Sequence, residues 1–181
     1  MGEPSIVTPH DLAIGLAQAE MYLLDSDVFI QAARLYYAFD LAPIFWASLK
    51  QYAIDGKMKS IDRVKDELER GKDDLADWVK HDGFNDGFSA TDSSEVVVAY
   101  QTVIAWVQAQ PQFFGGAKAE FASGADGWLV AFAKVGSHVV VTQEQAAPDA
   151  KRKVPIPNVC AVLGVQCVDT FTALRAVGFR A

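Results

Sequence analysis

A short apolar run, Met21 to Leu24, stops at Asp25-Ser26-Asp27 and resumes at once with Val28, Phe29, Ile30, Ala32 and Ala33. Four apolar residues followed by apolar positions at helical spacing read as a buried strand feeding a helix. The two acids then stand at the carboxyl end of that strand, where ligands gather in parallel α/β sheets. This pattern is a βα entry, and it narrows the choice of fold more than any other feature of the sequence.

The rest of the chain repeats this alternation. Pro43 to Ala53 carries Ile44, Phe45, Leu49 and Tyr52 at helical spacing, with Pro43 in the first turn and Asp55-Gly56 as the stop. A short strand around Lys57 to Ser60 precedes a helix whose apolar face is Ile61, Val64 and Leu68, with Ser60 as the expected cap and Gly71 at the end. Glu67 lies beside that face. Lys80 to Ser94 is rich in Asp, Gly, Asn and Ser and reads as a connection with the composition of a mobile lid. Val96 to Gln108 is helical by its spacing and ends at Pro111. Residues 117 to 122 add a helical turn or two. Asp126 then heads a helix that it shares with Leu129, Val130 and Ala133 on one face. His138 to Val141 is a β-branched strand ending at Thr142-Gln143-Glu144. Residues 145 to 158 read as a basic, Pro-containing loop, Gln166 to Val168 as a last strand and Thr170 to Val177 as a closing helix. Strands alternating with helices predict an α/β fold with a mainly parallel central sheet.

At 181 residues the chain fits one domain, spanning residues 21–181, with residues 1–20 as an N-terminal appendage. A small helix over residues 9–20 is weakened by Gly15. Hydrophobic residues make up 51% and charged residues 22%, which excludes general disorder. Met1 to Asp11 lacks the basic and apolar segments of a secretory signal, and no apolar run approaches the roughly 18–20 residues that span a bilayer. A soluble, cytoplasmic protein without membrane contact is expected. Cys160 and Cys167 fit neither a zinc pattern nor a disulfide scaffold and read as reduced, mostly buried thiols. His10, His81 and His138 show no ligand spacing.

Asp25, Asp27, Thr142 and Glu144 all fall at strand ends, and Glu67 and Asp126 come from helices able to point to the same edge. Carboxylate oxygens suit Mg²⁺ or Mn²⁺, and such ions activate water and stabilise the leaving oxygen of a phosphodiester. Each acid also has a plainer reading. Asp126 caps a helix, Asp25 is a turn residue, and Glu67 is one solvated charge among Lys65, Asp66 and Glu69. The run Lys151-Arg152-Lys153 is either a contact for RNA phosphate or a solvated loop. The aromatics Tyr36, Tyr37, Phe39, Phe45 and Trp46 read as packing before base stacking. The net charge of −7 is unlike a nucleic-acid binder, although acids that hold cations are neutralised and a local basic strip suffices.

Taken in order, the segments resemble the PIN-domain ribonucleases, and more closely a PIN-like branch. They are the opening Tyr22 to Ile30; Tyr36-Tyr37-Ala38-Phe39-Asp40 with Pro43 and Phe45-Trp46; Val64 to Leu68; Ala125 to Ala131; Val140 to Glu144; and Lys153 to Cys160. The resemblance covers most of the chain and implies a three-layer α/β/α sandwich. It also implies that Asp25, Glu67 and Asp126 are catalytic and hold Mg²⁺ or Mn²⁺ for in-line attack of water on RNA, with Glu144 in a less constant fourth position. Asp27 and Thr142 are secondary candidates. The family commonly has Asn where Asp27 stands and Asp where Glu144 stands. A toxin role in a toxin–antitoxin pair, a cognate antitoxin and a homodimer follow by the same resemblance. Two alternatives compete: a haloacid-dehalogenase-type phosphatase with Asp25 as nucleophile, and a non-catalytic PIN-like scaffold. The phosphatase reading leaves Glu67 and Asp126 without roles.

Overall fold

A computed structural model describes residues 21–81 and 84–180. The predicted appendage at residues 1–20, with His10, lies outside the described residues.

The opening run forms β1 (Tyr22–Leu24), which feeds α1 (Ser26–Gln31) and a single π-helical turn at Ala32–Tyr36. There follow α2 (Pro43–Ile54), β2 (Met58–Ile61), α3 (Asp62–Glu69) and α4 (Asp74–His81). A 3₁₀ turn at Asn85–Gly87 leads into β3 (Phe88–Ser89), α5 (Ser94–Ala109), α6 (Gly115–Ser123) and α7 (Asp126–Gly136). The chain closes with β4 (Val139–Val141), α8 (Ile156–Leu163), β5 (Cys167–Val168) and α9 (Thr170–Ala176). The strands form one sheet in the order β3-β2-β1-β4-β5, and every pairing is parallel. Helices flank it, giving an α/β/α sandwich.

Leu23, Leu24, Val139, Val140 and Val141 are all buried, as strands covered on both faces require. β1 is central, pairing Tyr22 with both Met58 and Val139, and Leu24 with Val141. Ser60 lies inside β2 rather than capping α3: its buried hydroxyl donates to the Leu24 carbonyl at 2.6 Å, and Ile61 is the uncapped residue before α3. Behind the sheet, α7 packs closely on α5 at Gly127. A Cβ there would stand 3.1 Å from Tyr100, 3.2 Å from Phe121 and 3.3 Å from Ile104. Tyr37 stacks on Phe45 and Phe39 on Trp46, so these four aromatics pack with one another as expected, while Tyr36 is exposed and meets Phe171 edge-on.

Three segments differ from expectation. Residues 72–81 contain α4, which buries Leu75, Ala76 and Val79. The connection read at 80–94 holds a 3₁₀ turn and the edge strand β3, and Asp62 anchors it by accepting from the Thr91 amide at 3.1 Å and the Thr91 hydroxyl at 2.8 Å. The basic loop ends at Pro155, because Ile156 and Pro157 already form the first turn of α8, where proline's missing N–H is no loss. Cys160 is buried and Cys167 half-buried, both free thiols. No described helix is long and apolar enough to cross a membrane.

Candidate functional site

The parallel register brings the ends of β1 and β4 side by side. The Asp25 amide donates to the Val141 carbonyl at 2.9 Å, so Asp25 and Thr142 leave the sheet as neighbours. Asp25, only 3% exposed, caps α1 by accepting from the Ser26 amide at 2.7 Å. The Thr142 hydroxyl lies 3.0 Å from Asp25 Oδ2 and 3.0 Å from Asp27 Oδ2. One hydroxyl carries one proton, so it donates to one of these carboxyls at a time. Asp27 gains a further donor in the Gln143 amide at 2.9 Å.

Both carboxyls are pushed above their usual range. Burial is the main cause at Asp25, with the charges of Asp27 and Asp126 adding to it and the Thr142 hydrogen bond opposing. Burial also leads at Asp27, against the Gln143 and Thr142 hydrogen bonds. A proton held by the pair therefore costs less than two bare charges.

Glu67 and Asp126 arrive from the helices. Glu67 Oε1 accepts from the Ala125 amide at 2.9 Å, tying α3 to the start of α7. Arg63, one turn earlier on α3, lies 4.3 Å over the Trp128 ring, which itself stacks on Tyr100 of α5. Asp126 is the first residue of α7 and does not act as its cap, contrary to the plainer reading. Among the described residues it makes no hydrogen bond or salt bridge. Its carboxyl is pushed up to about 7, first by burial and then by the charges of Glu144 and Glu67, with Lys153 opposing.

Glu144 is held at both oxygens: Oε2 accepts from the Ile156 amide at 2.8 Å, and Oε1 pairs with the Lys153 ammonium. Burial pulls the Lys153 ammonium down, but its bond to Glu144 and the charges of Glu144, Asp126 and Asp25 outweigh that and raise it. All five predicted acids and Lys153 line one cavity of about 250 Å³. Thr142 does not line it but hydrogen-bonds two residues that do, Asp25 and Asp27. Lys151 and Arg152 are exposed and do not line it, so the basic run divides at Lys153. Glu120 on α6 also lines the cavity. Sequence reasoning passed over it; its only signal was its place on a short helix just ahead of Gly124 and Asp126.

The donor set is hard oxygen under mutual repulsion, which fits a hard divalent cation. Among the described residues no three His, Cys, Asp or Glu side chains stand in ion-ligating geometry. Glu67, Asp27 and Glu144 are instead turned to backbone amides, and those hydrogen bonds limit the repulsion.

The family described as a domain of unknown function, DUF4411, matches residues 22–181. The chain belongs to the DUF4411 family. No curated protein matches it. Among solved structures, the DUF4411 domain is similar to VapBC2 from Rickettsia felis, in a crystal structure bound to a DNA fragment from their promoter. The TM-score is 0.51 at 13% identity, over 82% of this chain and 98% of that chain. At that identity the likeness is one of fold, and it places this DUF4411 chain among PIN-like α/β/α sandwiches.

Proposed function

We propose that this DUF4411 domain is a Mg²⁺- or Mn²⁺-dependent endoribonuclease and the toxin component of a toxin–antitoxin pair. The observation that carries the reading is the convergence of Asp25, Glu67, Asp126 and Glu144, from four separate segments, on one cavity in which Asp25 and Asp126 are pushed toward holding protons. Such an arrangement costs stability and is typical of functional sites. Asp25, Glu67 and Asp126 would hold the cation, with Glu144 at the margin. A divalent cation bound there supplies Lewis-acid polarisation and water activation for phosphodiester hydrolysis.

The chain's own groups orient the set. The Ser26 amide and Thr142 hydroxyl aim Asp25, and the Ala125 amide aims Glu67. Asp25 needs no role as a nucleophile, because Glu67 and Asp126 share its cavity and the phosphatase reading gives them no task. Where such a phosphatase needs an acidic pair after a later strand, Asp169 stands alone after β5 and caps α9 by accepting from the Thr172 amide. The antitoxin, and a second copy of the chain, are the partners that the PIN-like resemblance implies.

Purified protein incubated with structured and unstructured RNA, in Mg²⁺, in Mn²⁺ and in chelator, tests the reading. Cleavage that needs metal and disappears in both Asp25→Asn and Asp126→Asn is expected. Metal binding with RNA intact under every condition would favour the scaffold, and a phosphorylated Asp25 would favour the phosphatase.

A further inference from the structure

Lys153 was a member of a basic run; in the fold it is the cation of an acidic cavity. We propose that the site takes one divalent cation, among Asp25, Glu67 and Asp126, and that the Lys153 ammonium fills the second cationic position beside Glu144. The inference rests on the metal-dependent reading above.

Hydrogen bonding divides Asp27, Glu144, Glu67 and Asp126 into two groups, with Asp25 between them, its Oδ1 on the Ser26 amide and its Oδ2 sharing the Thr142 hydroxyl with Asp27. Glu144 has both oxygens committed, Oε1 to Lys153 and Oε2 to the Ile156 amide. Asp27 likewise has both oxygens engaged, Oδ1 by the Gln143 amide at 3.2 Å and Oδ2 by that amide and by Thr142. An ion reaching this side would have to displace internal donors that already offset the charge. On the other side Asp126 has no partner among the described residues, and Glu67 uses one oxygen only, on Ala125. The unsatisfied charge, and with it the demand for a cation, is concentrated there.

The clamp on Glu144 is built from one short stretch of chain. Lys153 and Ile156 are separated by Val154 and Pro155, which are buried, so the segment that supplies the ammonium also fixes the amide. The Lys153 side chain is 60% exposed and Glu144 15%, so the ammonium reaches in from the rim. An ammonium in that position is displaceable, unlike one sealed in the core. It therefore weakens a second ion by competition and by repulsion and does not forbid one at high concentration.

Mn²⁺ binding to the full chain, measured by calorimetry and by the electron paramagnetic resonance of free Mn²⁺, tests this at fixed ionic strength. Wild type should bind one tight Mn²⁺ per chain. Lys153→Met should acquire a second, bound at least about tenfold more tightly than any second ion in wild type. Lys153→Arg should keep the single ion, and Lys151→Met should match wild type. Melting curves in chelator check that the variants fold, and Lys153→Arg preserves the test if Lys153→Met does not. Two tight ions in wild type, or in Lys153→Arg, would overturn the inference while leaving the metal-dependent reading standing. A single ion in folded Lys153→Met would do the same. No Mn²⁺ binding to wild type would overturn both.

Discussion

The cation-free protein should become more stable at pH 8 when Asp126 is replaced by Asn. The Asp126 carboxyl is raised from its usual 3.8 to about 7 by burial and by Glu144 and Glu67. A group whose value is higher folded than unfolded favours folding while protonated. That contribution is complete below about pH 4 and is lost as the pH rises through about 7. Taken whole, the rise corresponds to about 4 kcal/mol. The cavity opens to water, which screens the repulsion, and a net effect of about 1–2 kcal/mol is the reasonable size. The N-terminal dipole of α7 works the other way, favouring the carboxylate by about 0.3–1 kcal/mol, and is the smaller effect. In a domain of this length each kcal/mol moves the melting temperature by about 2–4 °C. Differential scanning fluorimetry in chelator should therefore show Asp126→Asn melting about 2–8 °C above wild type at pH 8, with the gap closing toward pH 4. Added Mg²⁺ should raise wild type and not the variant, since only a folded state that binds the ion gains from it. A variant that melts at or below wild type in chelator, by the same margin at pH 5 and pH 8, would refute the claim that Asp126 is held against its neighbours' charge.

Three further outcomes follow from the packing and the hydrogen bonds. Thr142→Val removes the hydroxyl shared by Asp25 and Asp27; calorimetry should show Mn²⁺ affinity reduced by about 10- to 100-fold, the usual loss when a ligand's support is removed. Ser60→Ala deletes the buried donor to the Leu24 carbonyl and should cost about 1–2 kcal/mol in urea unfolding, with the slope unchanged. At Gly127 a methyl group meets two aromatic rings and Ile104 at 3.1–3.3 Å, so crowding outweighs the better helix propensity. Gly127→Ala should lose about 1 kcal/mol by the same assay.

Much of the sheet was legible because its strands are buried on both faces. The unbroken apolar runs at Tyr22–Leu24 and Val139–Val141 have no competing helical period. β3 has no such signal: Phe88–Ser89 is two residues long, and it is a strand because Ser60 and Ile61 offer it a free edge. α4 was overlooked because Leu75, Ala76 and Val79 are spaced among charges, and the face they bury depends on α3 beside them. The start of α8 was hidden by Pro155 and Pro157. Proline is a loop signal by composition, yet it is at home in a first helical turn, and only the position of the turn separates the two meanings.

The site was legible to the degree that strand register creates it. Once Leu24 pairs with Val141, Asp25 and Thr142 must emerge together at the sheet's carboxyl edge, and a slip of one residue would send Asp25 to the other face. Glu67 and Asp126 obey no such rule. They meet because α3 is laid against α7, through the Glu67–Ala125 hydrogen bond and the Arg63–Trp128 contact, and because Gly127 lets α7 approach α5. Lys153 and Glu120 lie further still from anything a local pattern encodes. Their chemistry was plain in the sequence, and their position depends on where the loop before α8 and the short helix α6 come to rest. The acids proposed to hold a cation are thus positioned by local sheet geometry and helix packing, whereas the lysine proposed to exclude a second one is positioned by a loop distant in sequence from most of them. On the proposed reading, changes in that loop would retune how many cations the site accepts without disturbing the sheet edge.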